Sequence, residues 1–282
     1  MNKSESEILK DLTDSVDDMR ARGANVCLSC FDNCLSAHLP VLYEYEVHPC
    51  AVCYYLKRNR LTAGKCPRNK ERLKAKLPDF PYAASCWAGV EEWVFPVTSE
   101  GRTVMCIHLT GYRGGTRATE KSDKLRLLCG EEFGKAYDEL ATPLPSYETA
   151  KRIVTPLIYI AEAFAEKCID SGSGCGRTDT VFNEALRVMY DRFSEDLTTD
   201  EIAGSVGYSA SHLRHQFKAR GMSVTHALAD IRLRRAAEML KTTPDTITEI
   251  AGRCGYSDPN YFSVVFSRKF GVSPREYRKN KK

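Results

Sequence analysis

The chain has 282 residues, 43% hydrophobic and 28% charged, the balance of an ordinary globular protein. That excludes fibrous, collagen-like and wholly disordered chains, and no apolar run approaches the roughly 18 residues that cross a bilayer. The N-terminus, MNKSESEILKDLTDS, is polar and acidic rather than a secretory signal. The expected location is therefore cytoplasmic with no membrane partner, and the length allows two ordinary domains. Net charge is only +4, but it is unevenly spread: residues 210–282 hold 15 basic and 6 acidic side chains, and the rest of the chain is net acidic. A basic C-terminal quarter points to a polyanion, most simply nucleic acid.

Taken in chain order, the first distinctive feature is cysteine. Seven of the 12 cysteines fall between residues 27 and 86, and without an export signal they are not read as a disulfide framework. Cys27 and Cys30, then Cys50 and Cys53, repeat a two-residue gap that suits a tetrahedral zinc site or an iron–sulfur cluster. The alternative is that these cysteines, with Cys34, Cys66 and Cys86, are small buried hydrophobes. Residues 57–76 carry nine basic side chains and one acid, read as a solvated helix face in preference to an anion site. His38, His48 and His108 receive no role.

Two β-rich runs, 92–97 and 103–109, flank Ser99-Glu100-Gly101 and predict a hairpin, with Pro96 at an edge or bulge. Trp87, Trp93, Phe95 and the hairpin face are the candidate apolar lining of a ligand pocket, with Cys53, Cys66 and Cys86 close by; the alternative is that the two tryptophans fill a core. Residues 147–166 predict a helix striped by Ile153, Leu157, Ile160 and Phe164, with Pro156 interrupting or kinking it. The stripe is either a homodimer seam or packs on its own domain. A Ser-Gly-Ser-Gly-Cys-Gly stretch then marks a flexible linker over 169–179.

Beyond it lies an internal repeat. Ile202-Ala-Gly-Ser-Val-Gly-Tyr-Ser209 returns as Ile250-Ala-Gly-Arg-Cys-Gly-Tyr-Ser257, each copy leading into a helix that ends near Phe217 or Phe266. Ala203 lets a second helix approach closely, Gly207 permits the positive φ of a tight interhelical turn, and Ser209 or Ser257 caps the following helix. Leu213 and Phe217 form the buried stripe of that helix. The outward residues are Ser211, Arg214, His215 and Lys218 in the first copy. In the second they are Asn260, Tyr261, Ser263 and Val264, with Arg268 and Lys269 beyond. Polar and basic side chains on a capped second helix suit major-groove reading.

Residues 181–278 resemble the DNA-binding domain of AraC/XylS-type transcriptional regulators, above all at Gly255-Tyr-Ser-Asp-Pro-Asn-Tyr-Phe262 and through 266–278. The resemblance implies two helix-turn-helix units joined by a long helix over 223–240, entering adjacent major grooves of double-stranded DNA. It places base reading at Ser211, Arg214, His215, Asn260, Tyr261 and Ser263. Arg268 and Lys269, with Arg232, Arg234 and Arg235, fall to phosphate. Only three residues separate Phe217 from Gly221, against four between Phe266 and Gly271, which implies a shorter first reading helix. Residues 8–166 resemble more loosely the PocR-type sensory domain, through Cys53-Tyr-Tyr-Leu-Lys57, Lys65-Cys66 and Cys86-Trp-Ala-Gly-Val-Glu-Glu-Trp-Val-Phe-Pro96. That family is PAS-like and implies a small organic effector.

The expected fold is thus α+β: a PAS-like mixed α/β sensory domain over 1–168, a linker, then an all-α DNA-binding domain over 180–282. The expected function is a DNA-binding transcriptional regulator under small-molecule control, with metal or redox sensing by the cysteines as the alternative. No Gly-x-Ser-x-Gly elbow, His-Glu-x-x-His pair or phosphate-cradling glycine loop occurs, so an enzyme is not expected.

Overall fold

Alternating and striped apolar residues divide between two kinds of unit, one built on a sheet and one made of helices. The computed structural model describes residues 3–46, 48–58, 62, 65–66, 77–141, 143–171, 177–243 and 245–279. It separates into Met1–Thr180 and Val181–Lys282. Most of the basic run over 57–76 lies outside the described residues.

The first unit opens with α1 (Glu5–Ala21), which begins at a capping box between Ser4 and Glu7 and buries Leu9, Leu12 and Val16, a stripe at helical spacing. Next come β1 (Val26–Cys30), the short α2 (Leu39–Leu42), α3 (Ala51–Arg58), β2 (Tyr82–Ser85), β3 (Val90–Ser99) and β4 (Arg102–Arg113). Three helices close the unit: α4 (Thr116–Cys129), α5 (Glu131–Asp138) and α6 (Tyr147–Asp170). The strands form one antiparallel sheet in the order β1-β4-β3-β2. The hairpin between β3 and β4 turns at Glu100 and Gly101, both with positive φ (50° and 74°), a turn whose twist matches that of the strands.

Pro96 sits where the sequence anticipated. β2 covers β3 only from Glu91 to Val94, so beyond it one side of β3 is an edge that needs no amide donor. An irregularity between Val97 and Thr98 follows directly.

The two sheet faces have different fates because side chains alternate along a strand. Val26, Leu28 and Cys30 of β1, Phe95 of β3 and Met105, Ile107 and Leu109 of β4 join one core with Leu12, Val16, Leu157 and Phe164. α6 supplies that core along its whole length, unbroken at Pro156. The Leu157 and Phe164 stripe therefore packs on its own sheet and is not available as a dimer seam. The opposite face meets a second core that includes Cys50, Val52, Cys53, Leu56, Phe133 and Tyr137.

The second unit holds most of α7 (Arg177–Arg192), then α8 (Thr199–Ser205), α9 (Ala210–Lys218), α10 (Val224–Thr242), α11 (Ile247–Arg253), α12 (Pro259–Phe270) and α13 (Pro274–Lys279). No strand occurs there among the described residues. The expected linker is partly helical, since α6 runs to Asp170 and α7 starts at Arg177; residues 172–176 lie outside the described residues. Overall the chain is a mixed helix-and-sheet unit followed by a helical one.

Candidate functional site

Two places in the molecule gather polar chemistry. The first is a cavity against the second face of the sheet, about 830 Å³ when its open mouth is counted. Cys53, Cys66, Cys86 and Trp87 line it. The Trp87 indole N–H donates to Cys66 Sγ at 3.4 Å, and Lys65 stands 5.2 Å over the Trp87 ring. Trp93 and Phe95 are elsewhere. Glu92 and Val94 occupy the cavity face of β3, so the residues between and beyond them point the other way. Phe95 is in the opposite core with Trp93 packed against it, and Trp93 donates to the Pro145 carbonyl at 2.8 Å. Reading the strand's alternation from Glu92 would have separated these two aromatics from the cavity.

The same alternation takes apart the cysteine set proposed for a metal. Cys27 and Cys30 are three apart on β1, hence on opposite faces; Cys30 joins the core beneath α1 and α6, while Cys27 pairs with His108 across the sheet. Cys50 and Cys53 belong to the second core. Cys27, Cys30, Cys50 and Cys53 therefore do not converge on one centre. Cys53 donates a hydrogen bond to Cys50, which lowers the Cys50 thiol and raises that of Cys53. Burial pushes Cys86 up to about 12.

Three cavity residues carried no expectation as site residues. Glu92, 5% exposed, places Oε2 3.2 Å from His108 Nδ1 and 3.5 Å from His48 Nε2. His48 Nδ1 lies 3.6 Å from Cys53 Sγ. Nothing in the sequence pairs a histidine in the loop before α3 with one on β4; the folding of that loop against the sheet brings them together.

The second place is the repeat. Each copy begins with a capping box, Thr198 with Glu201 and Thr246 with Glu249. Ile202 and Ala203, or Ile250 and Ala251, are buried. Gly207 and Gly255 take φ of 76° and 78°, and the Tyr208 and Tyr256 amides return to the Ala203 and Ala251 carbonyls at 3.0 and 2.9 Å. Ser209 caps α9 by accepting from the His212 amide. In the second copy the cap is Asp258, not Ser257: it accepts from the Asn260 amide at 2.8 Å, with Pro259 as the first helical residue. One extra turn residue thus shifts α12 against α9, so that Leu213 and Phe217 correspond to Phe262 and Phe266, all fully buried. α9 stops at Lys218, whereas α12 runs to Phe270 and ends on left-handed Gly271.

Against known proteins, residues 202–280 match the family described as "Helix-turn-helix domain". This segment is a helix-turn-helix domain. The chain is 53% identical over 72 residues to the HTH-type transcriptional activator RhaR of Pectobacterium carotovorum subsp. carotovorum (strain PC1), 25% of either chain. It is 33% identical over 109 residues to the HTH-type transcriptional activator RhaS of Enterobacter sp. (strain 638), 38% of this chain and 39% of that one. The chain thus spans a quarter to two fifths of the length of these curated relatives. A solved transcriptional regulator from Chromobacterium violaceum, titled as containing an AraC-type DNA-binding domain, is 32% identical, with 37% of this chain and 94% of that one covered and a TM-score of 0.36.

Within the helix-turn-helix domain, Ser211, Arg214 and His215 are exposed on α9, and Asn260 and Tyr261 on α12; Ser263 is half-buried. The Ser263 hydroxyl donates to the Pro259 carbonyl at 2.9 Å. Among the described residues, Arg214 has only a loose 4.0 Å contact with Asp200. His212 was not anticipated: it is exposed, stacked on Tyr208 at 5.0 Å and 17°, whereas the corresponding Tyr256–Tyr261 pair is tilted, at 6.3 Å and 52°.

The basic residues beyond these faces divide sharply. Arg268 is exposed. Lys269 is ion-paired with Asp230 of α10, and Arg234 pairs with the same carboxylate at 2.8 Å. Arg232 donates to the Phe193 and Glu195 carbonyls. Arg235 is 3% exposed and bonded to Glu238. Lys269, Arg232 and Arg235, expected at phosphate, are thus engaged within the domain: α10 is packed along its length, and its basic residues satisfy neighbouring carbonyls and carboxylates.

Proposed function

We propose that this chain is a sequence-selective, DNA-binding transcriptional regulator of the AraC type whose N-terminal unit binds a small organic effector. One observation carries the first half: two helices, each on its own capped Gly-Tyr turn, present polar side chains outward while their Leu and Phe stripes are buried. A helix so exposed fits the major groove, and two of them read two successive stretches. Arg214 reads guanine with a bidentate hydrogen bond, Asn260 pairs with adenine, and Ser211, His215, Tyr261 and Ser263 complete the two faces. Arg268 contacts phosphate, which positions without specifying. The names of the curated relatives, HTH-type transcriptional activators, agree with this reading.

The cavity supports the second half, together with the resemblance of residues 8–166 to the PocR-type domain. Its walls mix aromatic and aliphatic side chains with Glu92, His48 and His108, a lining suited to a small ligand with both an apolar part and a hydrogen-bonding end. Such a ligand acts on DNA binding only through unequal affinity for two states of the protein. Redox sensing by the cavity thiols is the weaker reading. A reactive cysteine needs its thiolate, and burial holds Cys86 at about 12 while the hydrogen bond to Cys50 raises Cys53.

The test is binding of the full chain to selected duplexes at moderate salt. Arg214→Ala should relax preference at one base pair by about tenfold to a hundredfold, the loss of one bidentate contact. Equal affinity for selected and random DNA would reject the regulator reading.

A further inference from the structure

We propose that Cys27, His48 and His108 bind a divalent transition-metal ion of the zinc class at the floor of the N-terminal cavity, with one coordination position left facing the cavity. One ligand atom from each residue lies within 4.8 Å of the other two. Bonds of about 2.0–2.3 Å in a tetrahedron bring ligand atoms to within about 3.3–3.8 Å of one another, so small side-chain rotations close the site. Two of the three ligands are already fixed to one another by the sheet, because Cys27 and His108 are register partners on β1 and β4.

His108 supplies an independent observation. It is 9% exposed, and its Nε2 atom is buried with no hydrogen-bond partner among the described residues, a costly arrangement for a ring nitrogen. Its other nitrogen is held by Glu92 at 3.2 Å. A carboxylate on one imidazole nitrogen, orienting the other toward a metal, is how ligating histidines are usually supported. Glu92 also stands 3.5 Å from His48, so a single carboxylate positions both rings.

The donor set selects the metal. One thiolate and two imidazoles suit zinc, cobalt or copper and not magnesium or calcium. On binding, the Cys27 thiol releases its proton to solvent and the sulfur lone pair forms the metal bond. The two charges of the ion are then matched by the Cys27 thiolate and the Glu92 carboxylate. His48 and His108 line the cavity, so the fourth position opens on it and takes an oxygen, nitrogen or sulfur donor from a small ligand. The other cluster of this kind among the described residues, Glu5, His38 and Cys168, is less suited: His38 offers no orphaned buried nitrogen like that of His108.

The test is cobalt titration of the full chain, stripped with chelator and kept reduced. We expect saturation at one equivalent, with a sulfur-to-cobalt charge-transfer band of one-thiolate intensity and the visible bands of tetrahedral cobalt. Cys27→Ser should abolish the charge-transfer band, His108→Asn should lower metal content at least tenfold, and Glu92→Gln should weaken affinity about tenfold to a hundredfold. No band, a band of multi-thiolate intensity, or unchanged metal content in a folded His108→Asn chain would overturn the assignment. If the buried substitutions fail to fold, Cys53→Ser, Cys66→Ser and Cys86→Ser decide. The band persists in all three on this account, and its loss in any of them would place the metal on other cysteines.

Discussion

A methyl group added at Gly255 would stand 2.9 Å from the Arg232 guanidinium, and Arg232 is itself locked to the Phe193 and Glu195 carbonyls at 2.8 and 2.7 Å. Its counterpart Gly207 has nothing within 4 Å of that position. Both glycines are left-handed, so alanine at either costs about 1–2 kcal/mol in backbone strain. Gly255→Ala must in addition displace the guanidinium and disturb two hydrogen bonds. It should destabilise the helical unit by about 1 kcal/mol more than Gly207→Ala, read as the difference in urea midpoints. Equal shifts would show that the Arg232 contact carries no weight.

Salt dependence separates the basic residues that face DNA from those that hold the domain together. Each phosphate contact contributes about 0.9 to the slope of log affinity against log salt. Arg268→Ala should therefore lower the slope by about one. Lys269→Ala should leave it unchanged, because the Lys269 ammonium is already paired with Asp230. Arg235→Ala should lower the melting temperature, since it leaves Glu238 without its 3.0 Å partner.

The two faces of the sheet answer differently to substitution. Phe95→Ala removes a fully buried ring from the core under α6, and should cost about 3–5 kcal/mol without altering ligand affinity in whatever folded protein remains. Ala84→Trp, on the cavity face of β2, should fill the cavity and remove any ligand-induced rise in melting temperature. A thermal-shift screen of the full chain and this variant against small metabolites checks both.

Buried thiols give the N-terminal unit an alkaline limit. Burial raises Cys86 and Cys106 from 9.0 to about 12. Between those values the unfolded chain loses protons that the folded chain keeps, so stability falls as pH rises from about 9 toward 12. Urea melts across that range should move to lower midpoints, and a flat profile would contradict the burial of these thiols.

Where a pattern repeats or alternates locally, the sequence was legible. The hairpin at 99–101 and the stripe of α6 each follow from spacing over fewer than twenty residues, and the Gly-Tyr-Ser repeat from an eight-residue pattern that returns 48 residues on. So did the shorter first reading helix, signalled by the three residues between Phe217 and Gly221. What stayed open or failed needed information from across the fold. Aromatic character alone left Trp93 open between pocket and core and put Phe95 at the pocket, because it does not count strand faces. Cys27 and Cys30 stayed open between a metal site and buried hydrophobes, by a spacing that joins sulfurs in a loop but parts them on a strand. Ser257 was named as cap because the repeat was followed in strict register with Ser209, one residue short of Asp258, where the helix is capped. The His48–Glu92–His108 contact joins a loop and two strands and has no local signature at all. Likewise, the internal pairing of Lys269 and Arg232 depends on how α10 packs, not on their charge.

The central claim is most directly tested by footprinting the full chain on its selected duplex. α9 and α12 should protect two major-groove patches about one helical turn, 10–10.5 base pairs, apart. Arg214→Ala should erase preference in one patch, and Asn260→Ala in the other. A single protected patch, or two that respond alike to both substitutions, would contradict the account.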